Sequence, residues 1–146
     1  MDPEALGTSG PAAYPIGMEH SPGFLALVNE AKKHIREITV AELRARLEVN
    51  PRAVLVDVRE DHEWQAGHAR GAVHLGRGIF ERDIERRFPD KDTELILYCG
   101  GGYRSALAAE SAQRMGYRQV ASLIGGYRAL LMAGWPIEST EASSHG

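Results

Sequence analysis

The sequence predicts a single α/β domain: a central parallel sheet of four to five strands with helices on both of its faces. Three observations support this fold class. The 146 residues suit one domain. Three continuous apolar runs, 53–57, 94–99 and 119–123, are typical of strands that are covered on both sides. Segments with helical spacing of apolar residues separate these runs, and such alternation favours a parallel sheet.

Helix signals lie before and between the strands. Ser21 followed by Pro22 resembles an N-cap and a first helical residue, so a helix is predicted over 21–37. Thr39 and Glu42 have the spacing of a capping box, which predicts the start of a second helix. The remaining segments predicted from pattern are a weaker strand over 72–75 and helices over 78–88, 104–115 and 125–131.

Composition limits the class of protein. Residues 1–20 and 139–146 are rich in small and polar residues without a period, so we expect tails around a domain at 21–138. The net charge of −3 does not indicate a nucleic-acid partner. No apolar run approaches the roughly 20 residues of a membrane helix. The first residues lack the features of a signal peptide, and one cysteine cannot form an intrachain disulfide, so a cytoplasmic location is expected.

The chemistry is predicted to lie in one loop, Cys99-Gly100-Gly101-Gly102-Tyr103-Arg104, between a buried strand and a helix. Glycines allow backbone N–H groups to converge on an anion, and the start of the following helix adds partial positive charge. A thiol there is expected to be held as the nucleophilic thiolate. Arg104 can offer a planar fork to an oxyanion, and Ser105 a hydroxyl.

A purely structural role for this loop is the plainer alternative. A cysteine at the end of an apolar strand is often a small buried hydrophobe, and glycines after a strand often only form a turn. Arg104 at the end of the glycine run favours an active site. An ATP-binding loop is disfavoured because no Gly-Lys-Ser/Thr sequence follows the glycines.

The loop resembles the active loop of the rhodanese family, which begins with a nucleophilic cysteine and ends near a basic residue. Three further blocks also resemble this family, and together the match spans residues 38–136. The blocks are 55–60 (Leu-Val-Asp-Val-Arg-Glu), 67–74 (Gly-His-Ala-Arg-Gly-Ala-Val-His), and Gly125-Gly126-Tyr127 with Trp135-Pro136. Ala69 stands where the family often has Ile, and Tyr127 where it often has Trp or Phe.

The resemblance implies a sulfurtransferase in which Cys99 attacks the outer sulfur of a donor such as thiosulfate and becomes a persulfide. A thiophilic acceptor, which is cyanide, a thiol or a protein thiol, then takes the sulfur. No metal or organic cofactor is implied. Arg104 is assigned as catalytic, either anchoring the donor or orienting the loop. Substrate-binding roles are assigned to Gly100, Gly101, Gly102, Tyr103, Ser105 and Arg77, and supporting roles to Asp57, which could bind the loop backbone, and Arg59.

Two alternatives remain open. The protein could be a persulfide carrier or binding module with little activity alone. It could also be a phosphatase of the fold-related dual-specificity kind, in which five residues separate the cysteine and the arginine. Only four residues, 100–103, separate Cys99 from Arg104, and a shorter loop suits one extra sulfur better than a phosphate.

Overall fold

Strands and helices alternate along residues 20–140, the part of the chain that the computed structural model describes. The strands are β1 (Arg36–Ile38), β2 (Val54–Asp57), β3 (His68–Ala69), β4 (Val73–His74), β5 (Glu94–Tyr98), β6 (Gln119–Leu123) and β7 (Ile137–Glu138). The helices are α1 (Pro22–Lys32), α2 (Val40–Val49), α3 (Asp61–Ala66), α4 (Phe80–Arg87), α5 (Arg104–Arg114) and α6 (Gly126–Met132). A 3₁₀ turn, Arg77–Ile79, precedes α4.

The central sheet has five parallel strands in the order β1-β6-β5-β2-β4. The predicted α/β class with a parallel sheet is therefore confirmed. β3 and β7 form a separate antiparallel pair. The expected tails fall almost entirely on residues 1–19 and 141–146, which lie outside the described part of the chain.

The three apolar runs form β2, β5 and β6. Their side chains are apolar in continuous runs because both faces of the sheet are covered by helices. In β5, Leu95 and Leu97 face the apolar layer formed with Phe80 of α4 and Ala109 of α5. Ile96 and Tyr98 face the opposite layer, formed with Leu43 of α2 and Leu130 of α6. Cys99 continues the alternation and falls in the layer of α4 and α5. The helix that follows Cys99 thus packs on the side toward which this cysteine points.

The local signals for helix starts were largely correct. The Thr39 hydroxyl accepts a hydrogen bond from the Glu42 N–H at 3.1 Å, and the Glu42 carboxylate accepts one from the Thr39 N–H at 2.8 Å. Ser21 does occupy the N-cap of α1, with Pro22 as its first residue, but its side chain makes no capping hydrogen bond. α1 packs against α5 and so lies beside the segment that follows the glycine loop.

An ion pair anchors the strand that carries Cys99. The Glu94 carboxylate, at the start of β5, accepts two hydrogen bonds of 2.8 Å from Arg46 of α2 and one of 3.1 Å from the Asn50 amide. The Glu94 side chain is nearly buried, with 5% exposed. The hydrogen bond from Arg46 lowers the pKa of Glu94, and this effect outweighs the opposing effect of burial.

Within residues 20–140, no helix combines the length and the apolar character needed to cross a membrane.

Replacing Glu94 with Gln should lower the free energy of unfolding at pH 7 by about 1 to 2 kcal/mol, because charge-assisted hydrogen bonds are lost. The folded-state pKa of Glu94 lies below its unfolded value of 4.5. Its stabilising contribution is therefore fully present above that value and disappears as the pH falls through the folded pKa. Urea unfolding at pH 7 and pH 3 measures this change. Glu48→Gln, at an exposed residue of the same helix as Arg46, is the control. Equal losses in the two variants would contradict the assignment.

Candidate functional site

The Cys99 side chain lies at the base of the glycine loop with only 1% of the residue exposed. Its Sγ accepts hydrogen bonds from the backbone N–H of Gly102, at 3.1 Å, and of Ser105, at 3.3 Å. The Ser105 hydroxyl lies 3.5 Å from Sγ and 2.8 Å from the hydroxyl of Ser122 on β6. Hydrogen-bond donors therefore converge on the sulfur, as the cradle expected from the sequence requires.

Gly102 is required for this geometry. Its φ of +101° lies in the left-handed region, which residues with a Cβ rarely adopt. A Cβ at this position would also come within 3.4 Å of the backbone nitrogen of Gly125. The glycine therefore turns its N–H toward the sulfur while the loop passes close to the segment before α6.

The first turn of α6 holds the other side of the loop. The N–H of Tyr127 donates to the Cys99 carbonyl at 2.7 Å, and the N–H of Arg128 donates to the Gly100 carbonyl at 3.2 Å. Gly126 has a φ of +51°, and a Cβ there would overlap the Cys99 carbonyl oxygen. These two loop carbonyls thus point away from the sulfur. Helix α6 can come this close to them only because residue 126 is a glycine.

Arg104 begins α5 and forms a two-pronged ion pair with Glu63 of α3. The distances are 2.9 Å from Nη1 to Oε1 and 3.3 Å from Nη2 to Oε2. Glu63 is itself fixed, since its carboxylate also accepts a hydrogen bond from the N–H of Glu60. The Glu63 carboxylate raises the pKa of Arg104. Burial opposes ionisation of Glu63, but the hydrogen bonds from Arg104 and Glu60 outweigh it and lower the pKa of Glu63. The geometry favours the loop-orienting role for Arg104.

Asp57 and Arg59 form a buried pair beside the loop. The Asp57 carboxylate accepts hydrogen bonds from the backbone and guanidinium of Arg59, at distances of 2.8 to 3.1 Å. For Asp57 the sequence leaves open a hydrogen bond to the loop backbone or a purely structural role, and the pairing with Arg59, two residues later, favours the structural role. The Arg59 guanidinium also lies 4.0 Å from the ring centre of Tyr127 and donates to the Gly67 carbonyl. The pair supports the loop indirectly, because Tyr127 binds Cys99.

A cavity of about 640 Å³ opens above Cys99. Its lining residues come from the loop, α1, α3 and the start of α6: His20, Phe24, Glu63, Cys99, Gly100, Gly101, Tyr103, Arg104, Gly125 and Arg128. Of the predicted substrate-binding residues, Gly100, Gly101 and Tyr103 line this cavity, whereas Gly102 and Ser105 contact the sulfur from behind the loop.

Arg77 was predicted to bind substrate, but the structure places it elsewhere. It lines a neighbouring cavity of about 660 Å³, and its guanidinium binds the Glu81 carboxylate at 2.7 and 2.8 Å. Arg104 lines both cavities, so the two are adjacent. A position on the same edge of the sheet was not enough to bring Arg77 into the Cys99 cavity.

The sequence did not predict the outer wall of the cavity. The His20 ring packs against the Tyr103 ring in a tilted arrangement, with ring centres 4.3 Å apart, and the centre of the Phe24 ring lies 6.4 Å from the centre of the same tyrosine ring. The Nζ of Lys32 lies 5.3 Å from the Tyr103 ring centre. Helix α1 and the residue before its N-cap thus close one side of the cavity. His20, which the sequence placed in the tail, is part of the site.

Comparisons with known proteins agree with the fold. The rhodanese-like domain family model matches residues 39–133. The thiosulfate sulfurtransferase GlpE of Haemophilus influenzae is 34% identical over 60% of this chain and 82% of its own. A Bacillus subtilis protein named as a candidate sulfur carrier is 27% identical over 77% of this chain and 56% of its own.

A solved structure extends the comparison. A Rhodopseudomonas palustris protein of unknown function, described as a possible tyrosine phosphatase, is 35% identical. It superposes with a TM-score of 0.72 and covers 84% of this chain and all of its own. Some relatives are longer: the chain spans about half of the Bacillus subtilis protein and 26% of a tRNA uridine(34) hydroxylase from Erwinia tasmaniensis.

The parallel sheet carries the cysteine loop at the carboxyl ends of its strands. With the family match covering most of its length, the chain belongs to the rhodanese-like domain family.

Replacing Gly126 with Ala should destabilise the fold and disturb the loop. A left-handed backbone costs a residue with a Cβ about 1 kcal/mol, and the overlap with the Cys99 carbonyl raises the expected loss to about 3 kcal/mol. Gly134→Ala is the matched control, because Gly134 has a φ of +76° and its Cβ would meet nothing within 4 Å. Denaturant unfolding compares the two variants. Equal losses would show that α6 does not depend on this close approach.

Proposed function

We propose that this protein is a sulfurtransferase that carries sulfane sulfur from an anionic donor such as thiosulfate to a thiophilic acceptor as a persulfide on Cys99. The observation that carries the proposal is the placement of Cys99 Sγ. It lies at the base of a cavity and accepts N–H hydrogen bonds from Gly102 and Ser105. The sulfurtransferase among the relatives supports the same class of reaction.

The first step is a displacement at sulfur. The Cys99 thiolate attacks the outer sulfur of thiosulfate, a new S–S bond forms, and the bond between the two donor sulfurs breaks with its electron pair leaving on sulfite. One thiolate and one thiosulfate become one persulfide anion and one sulfite, so charge is conserved. The glycine loop stabilises anionic sulfur before and after transfer, because its N–H groups need no rearrangement.

The second step returns the thiolate. Cyanide, or the thiolate of an acceptor, attacks the outer sulfur of the persulfide, and Cys99 leaves with the electron pair of the S–S bond. The products are thiocyanate or an acceptor persulfide. The proposed cytoplasmic location would supply reduced thiols and protein thiols as acceptors. Apart from the donor and the acceptor, the proposed reaction uses only the chain's own residues.

Incubation with thiosulfate should add one sulfur atom to the protein, measured by intact-mass spectrometry and located on Cys99 by peptide mapping. Adding cyanide should remove that atom and release thiocyanate. Cys99→Ser should show neither event, because a hydroxyl at that position is a far weaker nucleophile. Circular dichroism of the variant checks that the fold is retained. An unmodified wild-type protein, or an adduct that persists in Cys99→Ser, would refute the proposal.

The carrier alternative is favoured by the Bacillus subtilis relative, and it shares the persulfide. The two functions differ in the second step. A sulfurtransferase releases thiocyanate at a steady rate with thiosulfate and cyanide present. A carrier accumulates the adduct and turns over only when its partner thiol is supplied.

The likeness to the Rhodopseudomonas palustris protein calls for a direct test of phosphatase activity. We expect no hydrolysis of an aryl phosphate that depends on Cys99. Only four residues separate Cys99 from Arg104, one fewer than in the phosphatase loop, and Arg104, the group expected to bind a phosphate, is held by both oxygens of Glu63. Release of a nitrophenol measures turnover, with Cys99→Ser as the control. Turnover by wild-type that Cys99→Ser lacks would overturn this expectation.

A further inference from the structure

Two arginine residues, Arg104 and Arg128, line the Cys99 cavity, and their charges are compensated differently. Arg104 is bound by both oxygens of Glu63. An anion that approached Arg104 would meet the Glu63 carboxylate at the same wall of the cavity. The pair therefore contributes little net positive charge toward a bound donor.

Arg128 is exposed, and within residues 20–140 its side chain has no ion pair or hydrogen bond. Its backbone is nevertheless fixed, since its N–H donates to the Gly100 carbonyl at 3.2 Å. The Arg128 side chain therefore extends from a backbone position that is hydrogen-bonded to the cysteine loop. Among the described lining residues it is the arginine whose five donors remain available.

We propose that Arg128, and not Arg104, binds the oxyanion end of the sulfur donor and so makes the protein selective for anionic sulfane donors. This inference rests on the proposed sulfurtransferase function. Arg128 holds the sulfonate oxygens of thiosulfate while the outer sulfur faces Cys99. The same guanidinium stays beside sulfite as the S–S bond breaks and charge accumulates on the leaving group.

Two reagents separate charge recognition from the reactivity of Cys99. Thiosulfate is a dianion and adds one sulfur to Cys99. Methyl methanethiosulfonate is neutral; the thiolate attacks its sulfenyl sulfur, the one that carries no oxygen, a Cys99–S–S–CH₃ disulfide forms, and methanesulfinate leaves with the electron pair of the broken S–S bond. Both rate constants are measured by quenched intact-mass spectrometry. Their ratio reports recognition of the donor's charge, since changes in the thiolate affect both reagents.

Arg128→Gln should lower the thiosulfate-to-methanethiosulfonate ratio about tenfold, as expected for one charge-assisted hydrogen bond. Arg128→Lys should retain a larger part of the ratio. Arg52→Gln removes the same charge from an exposed residue at the opposite edge of the sheet, just before β2, and should keep the wild-type ratio. Raising the salt concentration should lower the wild-type ratio toward that of Arg128→Gln, because exposed charges are screened.

The outcomes distinguish the two proposals. If thiosulfate adds sulfur to wild-type but Arg128→Gln keeps the wild-type ratio, the assignment of Arg128 is wrong and the sulfurtransferase function stands. A ratio that falls equally in Arg52→Gln also overturns the assignment, because net charge alone would explain it. If wild-type reacts with methyl methanethiosulfonate but takes no sulfur from thiosulfate, both proposals fail.

Discussion

The site depends on the attachment of the cysteine loop to the first turn of α6. Two backbone hydrogen bonds, from Tyr127 to the Cys99 carbonyl and from Arg128 to the Gly100 carbonyl, turn these oxygens away from the sulfur. The N–H groups of Gly102 and Ser105 then face the sulfur from the other side. The loop thus directs its carbonyl oxygens toward α6 and its N–H groups toward the sulfur. Carbonyl oxygens facing the sulfur would destabilise the thiolate that the proposed reaction requires.

Ion pairs around the loop fix its shape more than they supply charge. Glu63 holds Arg104 at the start of α5, and Asp57 holds Arg59 against the ring of Tyr127. In each pair the two charges compensate each other, which suits partly or fully buried positions. In the proposed reaction, stabilisation of the anionic sulfur is thereby left to backbone N–H groups, which are neutral and are already in place in the folded protein.

Much of the fold was readable from sequence because its signals are local. β2, β5 and β6 are continuous apolar runs, and the residues that predict the chemistry of the glycine loop are six adjacent positions, 99–104. The helix predicted over 21–37 was too long: it ends at Lys32, and its last residues belong to the strand β1. The strands β3 and β7, of two residues each, and the short helix α3 were not predicted, since such short segments show no period. They form through pairing or packing with distant parts of the chain.

The site residues that the sequence missed are those placed by long-range contacts. Glu63 meets Arg104 across 41 positions of the chain, and no local pattern marks such a pair. The difference between the predicted and the observed position of Arg77 has the same cause. The sequence predicted the correct end of the sheet for this residue, but packing decides which of the two adjacent cavities its side chain lines.

The wall formed by His20 and Phe24 has a consequence for how this domain can diversify. Both residues precede residue 39, where the family match begins, whereas the sulfur cradle lies wholly inside the match. The entrance and the reaction centre are therefore encoded in separate stretches of chain that meet at Tyr103. Substitutions in α1 can therefore reshape the entrance, and under the proposed function the choice of acceptor, without changing any residue of the cradle.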